Sequence, residues 1–331
     1  IRKVSRMDDL FGYMDSETTA EPEAKVGELG NAEWLLSMMN IPGIGSATAI
    51  KIAKEFKTPN ELLRASDAEL GKIGNFDPGQ IMHIKPTDIP QSVGVRAISY
   101  FDDDYPLGLK DLSNPPAVLW VRGILKDVRN VAIVGTRQPS QQGYAKAEMC
   151  GSEAANLGFG VVSGLAIGID SAAHRGALRE EGYTVAVLAS DVLQPTPESN
   201  IPLAHAILDA GGCLVSEAPP RTSPTPHGLV QRNRLQTALS RLVLVPECGY
   251  PSGTFSTIAF GFALGRPLAV FKSEERMQSS RGNELLSDLS GLNPDYLDLP
   301  KKLKEKVAIR KPFADVVLEN ISDLREYLKS I

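Results

Sequence analysis

Residues Val162–Leu178 read VSGLAIGIDSAAHRGAL, with FGVVS leading into them and YTVAVLAS following. Two short β-branched runs bracket a glycine-punctuated turn and a helix-period segment, the pattern of a strand–helix–strand unit. The alternation extends outward in both directions. AVLWVRG, VRNVAIVG, GCLVSE, RLVLVPE and RPLAVFK are further apolar runs, and helical windows fall near Gly143–Leu157, Ile169–Glu180, Ile201–Ala210, Gln231–Ala238 and Ser256–Leu264. Continuous apolar runs are strands buried on both faces, and strands separated by helices pair in parallel. The expectation is an α/β fold, a doubly wound and mostly parallel sheet from residue 98 onward. Its binding crevice belongs beyond the C-terminal ends of the strands.

Upstream the pattern is different. Residues 1–30 are polar and acidic and are expected to form a flexible arm. Residues 31–90 read as a small all-α domain: a helix near Ala32–Met39, then IPGIGSATAIKIAKEF with an amphipathic helix after its Gly-x-Gly turn, then Pro59–Arg64. Ser66 with Glu69 three residues on is a capping-box signature opening another helix, and Ile73-Gly74-Asn75-Phe76 degenerately echoes the Ile-Pro-Gly-Ile-Gly turn. Residues 85–97 read as a linker, and 291–331 as a short tail holding the Lys-rich run KKLKEKVAIRK, a short strand and a capped helix, with no winged helix.

Bulk composition excludes several functions. The chain has 331 residues, 42% hydrophobic and 23% charged, with a net charge of −5. No global basic field draws in a polyanion, so any such binding rests on a local patch. Cys150, Cys213 and Cys248 are isolated, and His83, His174, His205 and His227 are scattered. No metal-ligand spacing or disulfide framework results, which fits a reducing cytoplasm. No apolar run is long enough to span a membrane, and IRKVSRMDDLFGYMD holds no secretory h-region.

Four loops fall at strand C-termini. In IVGTRQPSQQG, Gly135 allows a tight turn and Thr136 and Arg137 project before a helix whose first amides suit an anion. In SGLAIGIDSAAHRG, Gly164 and Gly168 permit close backbone approach, Asp170 orders the loop and His174 and Arg175 follow on the helix. HGLVQRNRLQTALS sets Arg232 and Arg234 around Asn233, and ECGYPSGTFSTIA places Ser252, Gly253 and Thr254 before a helix. Cations and amide donors converge without a nucleophile–base pair, the chemistry of a phosphate cradle rather than a catalytic centre. Tyr144, Tyr250 and Phe255 are the candidate stacking platforms.

In order along the chain, VAIVGTR, VVSGLAIGIDSAAHRGAL, GCLVSE, RNR with ALS, and SGT before GRPLAVF resemble the DNA-processing protein A (DprA, also Smf) family. YFDDDYPLGLKDLSNPPAVLWVRG resembles that family's lead-in, and SRGNELL the segment that closes its core. The resemblance implies a Rossmann-like domain over 98–290 that binds single-stranded DNA, forms a homodimer and hands the strand to the RecA recombinase in natural transformation. It implies no cofactor, no metal and no catalytic residue. Carried over by motif, the binding positions are Gly135, Thr136, Arg137, Ser163, Gly164, Gly168, Asp170, His174, Arg232, Asn233, Arg234, Ser252, Gly253 and Thr254, with Arg175 beside them. IPGIGSATAIKIAKEF resembles a helix-hairpin-helix, which implies duplex contact through Gly43, Gly45, Lys51 and Lys54. The chain departs from the family in Leu229-Val230-Gln231, where a Phe-Pro is usual, and in ASDVLQPTP, where a glycine-rich run is usual.

Two other readings share the cradle. One is a sensor of a nucleotide-derived ligand. The other is a nucleotide-cleaving enzyme of the lysine-decarboxylase-like (LOG) type, which needs a glutamate where ECGYPSGTFSTIA has Ser256 and Thr257. Without that carboxylate a glycosidic bond finds no acid or nucleophile.

Overall fold

A computed structural model describes residues 27–89, 94–273 and 277–331. The arm expected over 1–30 therefore lies outside the described residues, apart from 27–30. The strands are β1 (Val95–Ser99), β2 (Val118–Gly123), β3 (Asn130–Ile133), β4 (Gly160–Ser163), β5 (Thr184–Leu188), β6 (Cys213–Ser216), β7 (Leu242–Val245), β8 (Leu268–Phe271) and β9 (Val316–Leu318). They form one sheet in the order β1-β2-β6-β5-β4-β3-β7-β8-β9. Pairing is parallel from β6 through β9, while β1 and β2 join antiparallel at one edge. The sheet is α/β and Rossmann-like, as the apolar runs predicted.

Helices α1 (Ala32–Met39), α2 (Ser46–Glu55), α3 (Pro59–Leu63) and α4 (Asp67–Gly71) precede the sheet, and α5 (Leu107–Lys110) lies between β1 and β2. The crossover helices are α6 (Gln141–Asn156), α7 (Ile169–Arg179), α8 (Ile201–Asp209), α9 (Pro226–Ala238) and α10 (Thr254–Ala263), followed by α11 (Arg281–Ser287), α12 (Lys301–Ala308) and α13 (Ile321–Ser330). Successive side chains of a strand face opposite ways. In β5, Ala186 and Leu188 accordingly join a core with α8 and the N-terminal helices, while Val185 and Val187 join one with α9 and α5. Helix α9 begins at Pro226, earlier than the window near Gln231–Ala238, because Thr225 caps it by accepting from the Gly228 amide.

The N-terminal helices share a core with the sheet: Trp34, Leu35, Ile50 and Ile52 are buried in one cluster with Val118, Trp120 and Leu214. The Ala117 amide donates to Ser46 Oγ, and Ser99 Oγ donates to the Gly30 carbonyl. Residues 291–331 are likewise built into the sheet. β9 pairs with β8, and Arg325 of α13 donates twice to Glu153 of α6.

The chain order creates a topological switch. From β3 the chain winds outward through β4, β5 and β6, then returns to place β7 on the other side of β3. The loops after β3 and β7 diverge here, which opens the crevice of a doubly wound sheet.

Candidate nucleic-acid interface

The loop after β3 runs over Val134–Ser140 into α6. Gly135 has no room for a side chain, since a Cβ there would crowd the Glu247 carbonyl and stand 2.7 Å from Ile169 Cγ1. Thr136 joins three loops: its amide donates to the Glu247 carbonyl, its carbonyl accepts from Ile169, and its Oγ1 accepts from the Gln138 amide. Arg137 follows, exposed, and forms no ion pair with a described residue. The loop, with Gln141, Tyr144 and Glu148 of α6 and with Gly168, lines an open cleft of about 620 Å³. Gly168 adopts φ +86°, and a Cβ there would stand 2.5 Å from the Thr136 carbonyl. Glycine is required here both by conformation and by close approach.

The start of α6 is not open to a phosphate. Ser140 caps it by accepting from the Gly143 amide, and the Glu247 carboxylate accepts from the Ser140 amide at 2.8 Å and the Ser140 hydroxyl at 2.6 Å. The sequence-based anion site at this helix start is corrected accordingly. Glu247 is buried, and its carboxylate already ties β7 to α6 across the switch point. Its part in capping α6 is what sequence reasoning missed here. The available signal was its place at the end of the strand run RLVLVPE.

Behind the cleft lies a buried polar knot. Arg232 is 5% exposed, and its Nη1 donates to the Gly164 carbonyl at 2.6 Å and to the Val187 carbonyl. Asp170 Oδ2 accepts from the Gly164 amide at 3.0 Å. Burial pushes the Asp170 carboxyl up, opposed by the charge of Arg232 and by the Gly164 and Ala166 amides. Burial also pushes the Arg232 guanidinium down, with Asp170 favouring its charge and Arg137 opposing it. Arg232 thus favours the charged form of Asp170, while Arg137 acts on Arg232 as a neighbouring like charge.

His174 is fully buried. Thr184 Oγ1 donates to the Val161 carbonyl at 2.7 Å, so it accepts from His174 Nδ1 at 2.7 Å, and the network assigns the Nδ1–H tautomer. Burial, with Arg232 nearby, holds the imidazole down to about 3 from 6.5. A neutral buried histidine stabilises the fold fully above its unfolded pKa, and that contribution is lost as pH falls from 6.5 toward 3. Urea unfolding of wild type and His174→Gln between pH 7 and pH 5 is expected to show the wild-type stability falling more steeply, by up to about 1.4 kcal/mol per pH unit. Equal slopes would mean that His174 titrates normally.

The other positions divide by location. Ser163 Oγ donates to the Ile133 carbonyl inside the sheet. Arg234 is 5% exposed and donates to Glu217 at 2.6 Å. Asn233 Nδ2 donates to Ser256 Oγ, joining α9 to α10. Arg175 is exposed on α7. Gly253 is exposed at the start of α10, which no side chain caps, with Ser252 and Thr254 on either side. The sequence grouped four arginines in the crevice; the structure leaves Arg137 and Arg175 exposed to solvent and turns Arg232 and Arg234 inward.

In the helical module, Gly43 adopts φ +88°, and Gly43 and Gly45 are exposed at the turn before α2. Lys51 is exposed. Lys54 is turned away from that role: its Nζ donates to Tyr100 Oη and lies 4.9 Å from that ring's centre. Among the described residues no His, Cys, Asp and Glu group could hold a metal ion, and no helix is long and apolar enough to cross a membrane.

Comparison with known proteins gives a consistent result. Residues 96–290, more than half of the chain, match the family described as DNA recombination-mediator protein A. The chain is 37% identical over 204 residues to a putative DNA processing protein DprA of Mycobacterium tuberculosis, covering 57% of this chain and 52% of that one. It is 30% identical over 267 residues to protein Smf of Synechocystis sp., covering 76% and 67%. The chain thus spans about half the length of the mycobacterial relative. Among solved structures, DNA processing protein A of Streptococcus pneumoniae superposes with a TM-score of 0.61 at 25% identity, covering 76% of this chain and 89% of that one. DNA processing protein A of Helicobacter pylori, solved for its single-stranded DNA binding mode, superposes with a TM-score of 0.56 at 25% identity, covering 71% and 96%.

Proposed function

The chain belongs to the DNA recombination-mediator protein A family, and from that premise we propose that it binds single-stranded DNA along the crevice at the β3/β7 switch point. The observation that carries the proposal is Arg137: exposed, without an ion pair to any described residue, and mounted on a loop fixed from behind by Thr136, Gly168 and Glu247. A loop already fixed loses little backbone freedom when its arginine meets a phosphate, and the exposed guanidinium offers forked donors. Arg175 and the uncapped start of α10, with Ser252, Gly253 and Thr254, extend the contact. Arg232, Asp170, His174, Ser163 and Gly164 shape the cradle from inside, and Arg234 and Asn233 hold α9 in place. In the helical module, Gly43, Gly45 and Lys51 remain the positions for a duplex contact.

In this reading the protein is not an enzyme. It acts as a homodimer that passes the strand to a RecA recombinase in the cytoplasm. The Glu247 carboxylate, spent on the cap of α6, supports this reading over nucleotide cleavage.

The test is fluorescence anisotropy of labelled oligo-dT titrated with protein over a range of salt concentrations. Arg137→Ala is expected to weaken binding and to reduce the slope of log K against log salt by about 0.7, one single-strand phosphate contact. Sequence preference should be slight, since phosphate contacts carry no base information. Wild-type protein that ignores oligo-dT at low salt but saturates with a dinucleotide would replace DNA with a small phosphate ligand.

A further inference from the structure

Residues 301–311, KKLKEKVAIRK, carry six cations against one acid in a chain whose net charge is −5. They form α12 and its exit. Val307 is fully buried and Leu303 packs beside it, so the helix has an anchored apolar side. Two of the six cations are paired, Lys304 with Asp295 and Arg310 with Asp315. Lys301, Lys302, Lys306 and Lys311 are exposed and form no ion pair with a described residue. Lys301 and Lys302 lie in the first turn of α12, where the helix dipole disfavours cations, and Lys302 and Lys306 form a like-charge i,i+4 pair.

Aromatic contacts tie α12 to the loop after β7. Just before the helix, Tyr296 packs against Tyr250 with ring centres 4.6 Å apart, and Tyr250 belongs to the loop after β7 at the switch point. Tyr250 also meets Phe255 of α10 at 5.0 Å. The Lys304–Asp295 pair fastens α12 to the turn bearing Tyr296. The start of α12 therefore lies next to the crevice, on the side of Ser252 and Gly253. Lys302 and Lys306 stand one helical turn apart on one face, about 6 Å along the axis.

We infer that α12 is a second polyanion-binding track, which takes the backbone of the same single strand where it leaves the crevice past Tyr250 and Tyr296. The inference rests on the crevice reading above. Lys301 and Lys302 meet the first phosphates beyond the crevice, and Lys306 the next. The two tyrosines, both half-buried, form the lip over which the strand passes.

The experiment compares dT oligomers of about 6 and about 20 nucleotides, one within and one beyond the span of about 4–16 nucleotides that a single binding fold covers. The proteins are wild type, Arg137→Ala and the double variant Lys302→Gln/Lys306→Gln. The wild type should bind the long oligomer about tenfold more tightly at low salt, after correction for the number of binding registers. The lysine variant should lose that gain, with a salt slope lower by about 1.4, and should bind the short oligomer as the wild type does. Arg137→Ala should weaken both lengths. If the lysine variant keeps the gain while Arg137→Ala weakens both lengths, the track is refuted and the crevice stands. If the wild type binds neither length, both fail together.

Discussion

Replacing Arg232 with methionine is expected to destabilise the fold by about 3–5 kcal/mol, the cost of removing one partner from a buried charged pair. The guanidinium is internal, and its Nη1 serves the carbonyls of Gly164 and Val187 at the ends of β4 and β5. Methionine fills much of the volume, but it takes the Nη1 donor from those carbonyls and the countercharge from the buried Asp170 carboxylate. Asp170→Asn in the Arg232→Met background should restore part of the loss, because it removes the stranded charge. Urea denaturation of the three proteins measures both effects. Arg137→Ala supplies the contrast, since an exposed arginine without an ion pair to a described residue should change DNA affinity and leave the unfolding midpoint unchanged. A stable Arg232→Met protein would put that guanidinium at the surface and return it to the list of direct phosphate contacts.

Gly176→Ala is expected to destabilise by about 2–3 kcal/mol, against the direction that helix propensity predicts. Within a solvated helix the change from glycine to alanine gains about 1 kcal/mol. Here a Cβ at Gly176 of α7 would run into the Glu148 carbonyl of α6, and a Cβ at Gly151 of α6 would meet the Ala173 carbonyl of α7. Ser152 Oγ crosses the same seam to donate to the Gly176 carbonyl at 3.0 Å. The obstructing atoms are backbone, so relief requires the helices to separate, and overpacking costs of this kind reach a few kcal/mol. The cleft should suffer as well, since α6 carries Gln141, Tyr144 and Glu148 and Gly168 stands at the cap of α7. Equilibrium unfolding and oligo-dT binding of the variant test this together. A midpoint above that of wild type would show that the seam opens freely.

The α/β architecture was legible because its signal is local. Strands such as VAIVG and TVAVL are buried on both faces and read as unbroken apolar runs, while intervening helices force parallel pairing. The capping box at Ser66 and Glu69 was legible for the same reason, as both reciprocal hydrogen bonds lie within four residues. The glycines of the site were legible too, because Gly135, Gly164 and Gly168 stand in turns wherever the helices pack. A sequence also shows that an arginine is charged, but not which way it points. Arg232 and Arg234 sit two residues apart in α9, and both were read as crevice cations. Only the packing of α9 beneath the loops decided that both turn inward, where Gly164, Val187 and Glu217 receive them. The Glu247–Ser140 cap links residues 107 positions apart, and the Lys54–Tyr100 contact links residues 46 apart. The tail was read as an appendage, and its incorporation through β9 depends on an edge that β8 leaves open. Local periodicity and turn chemistry act within a few residues and are written in the chain. The direction of a long side chain is decided by whichever distant carbonyl or carboxylate the fold brings within reach.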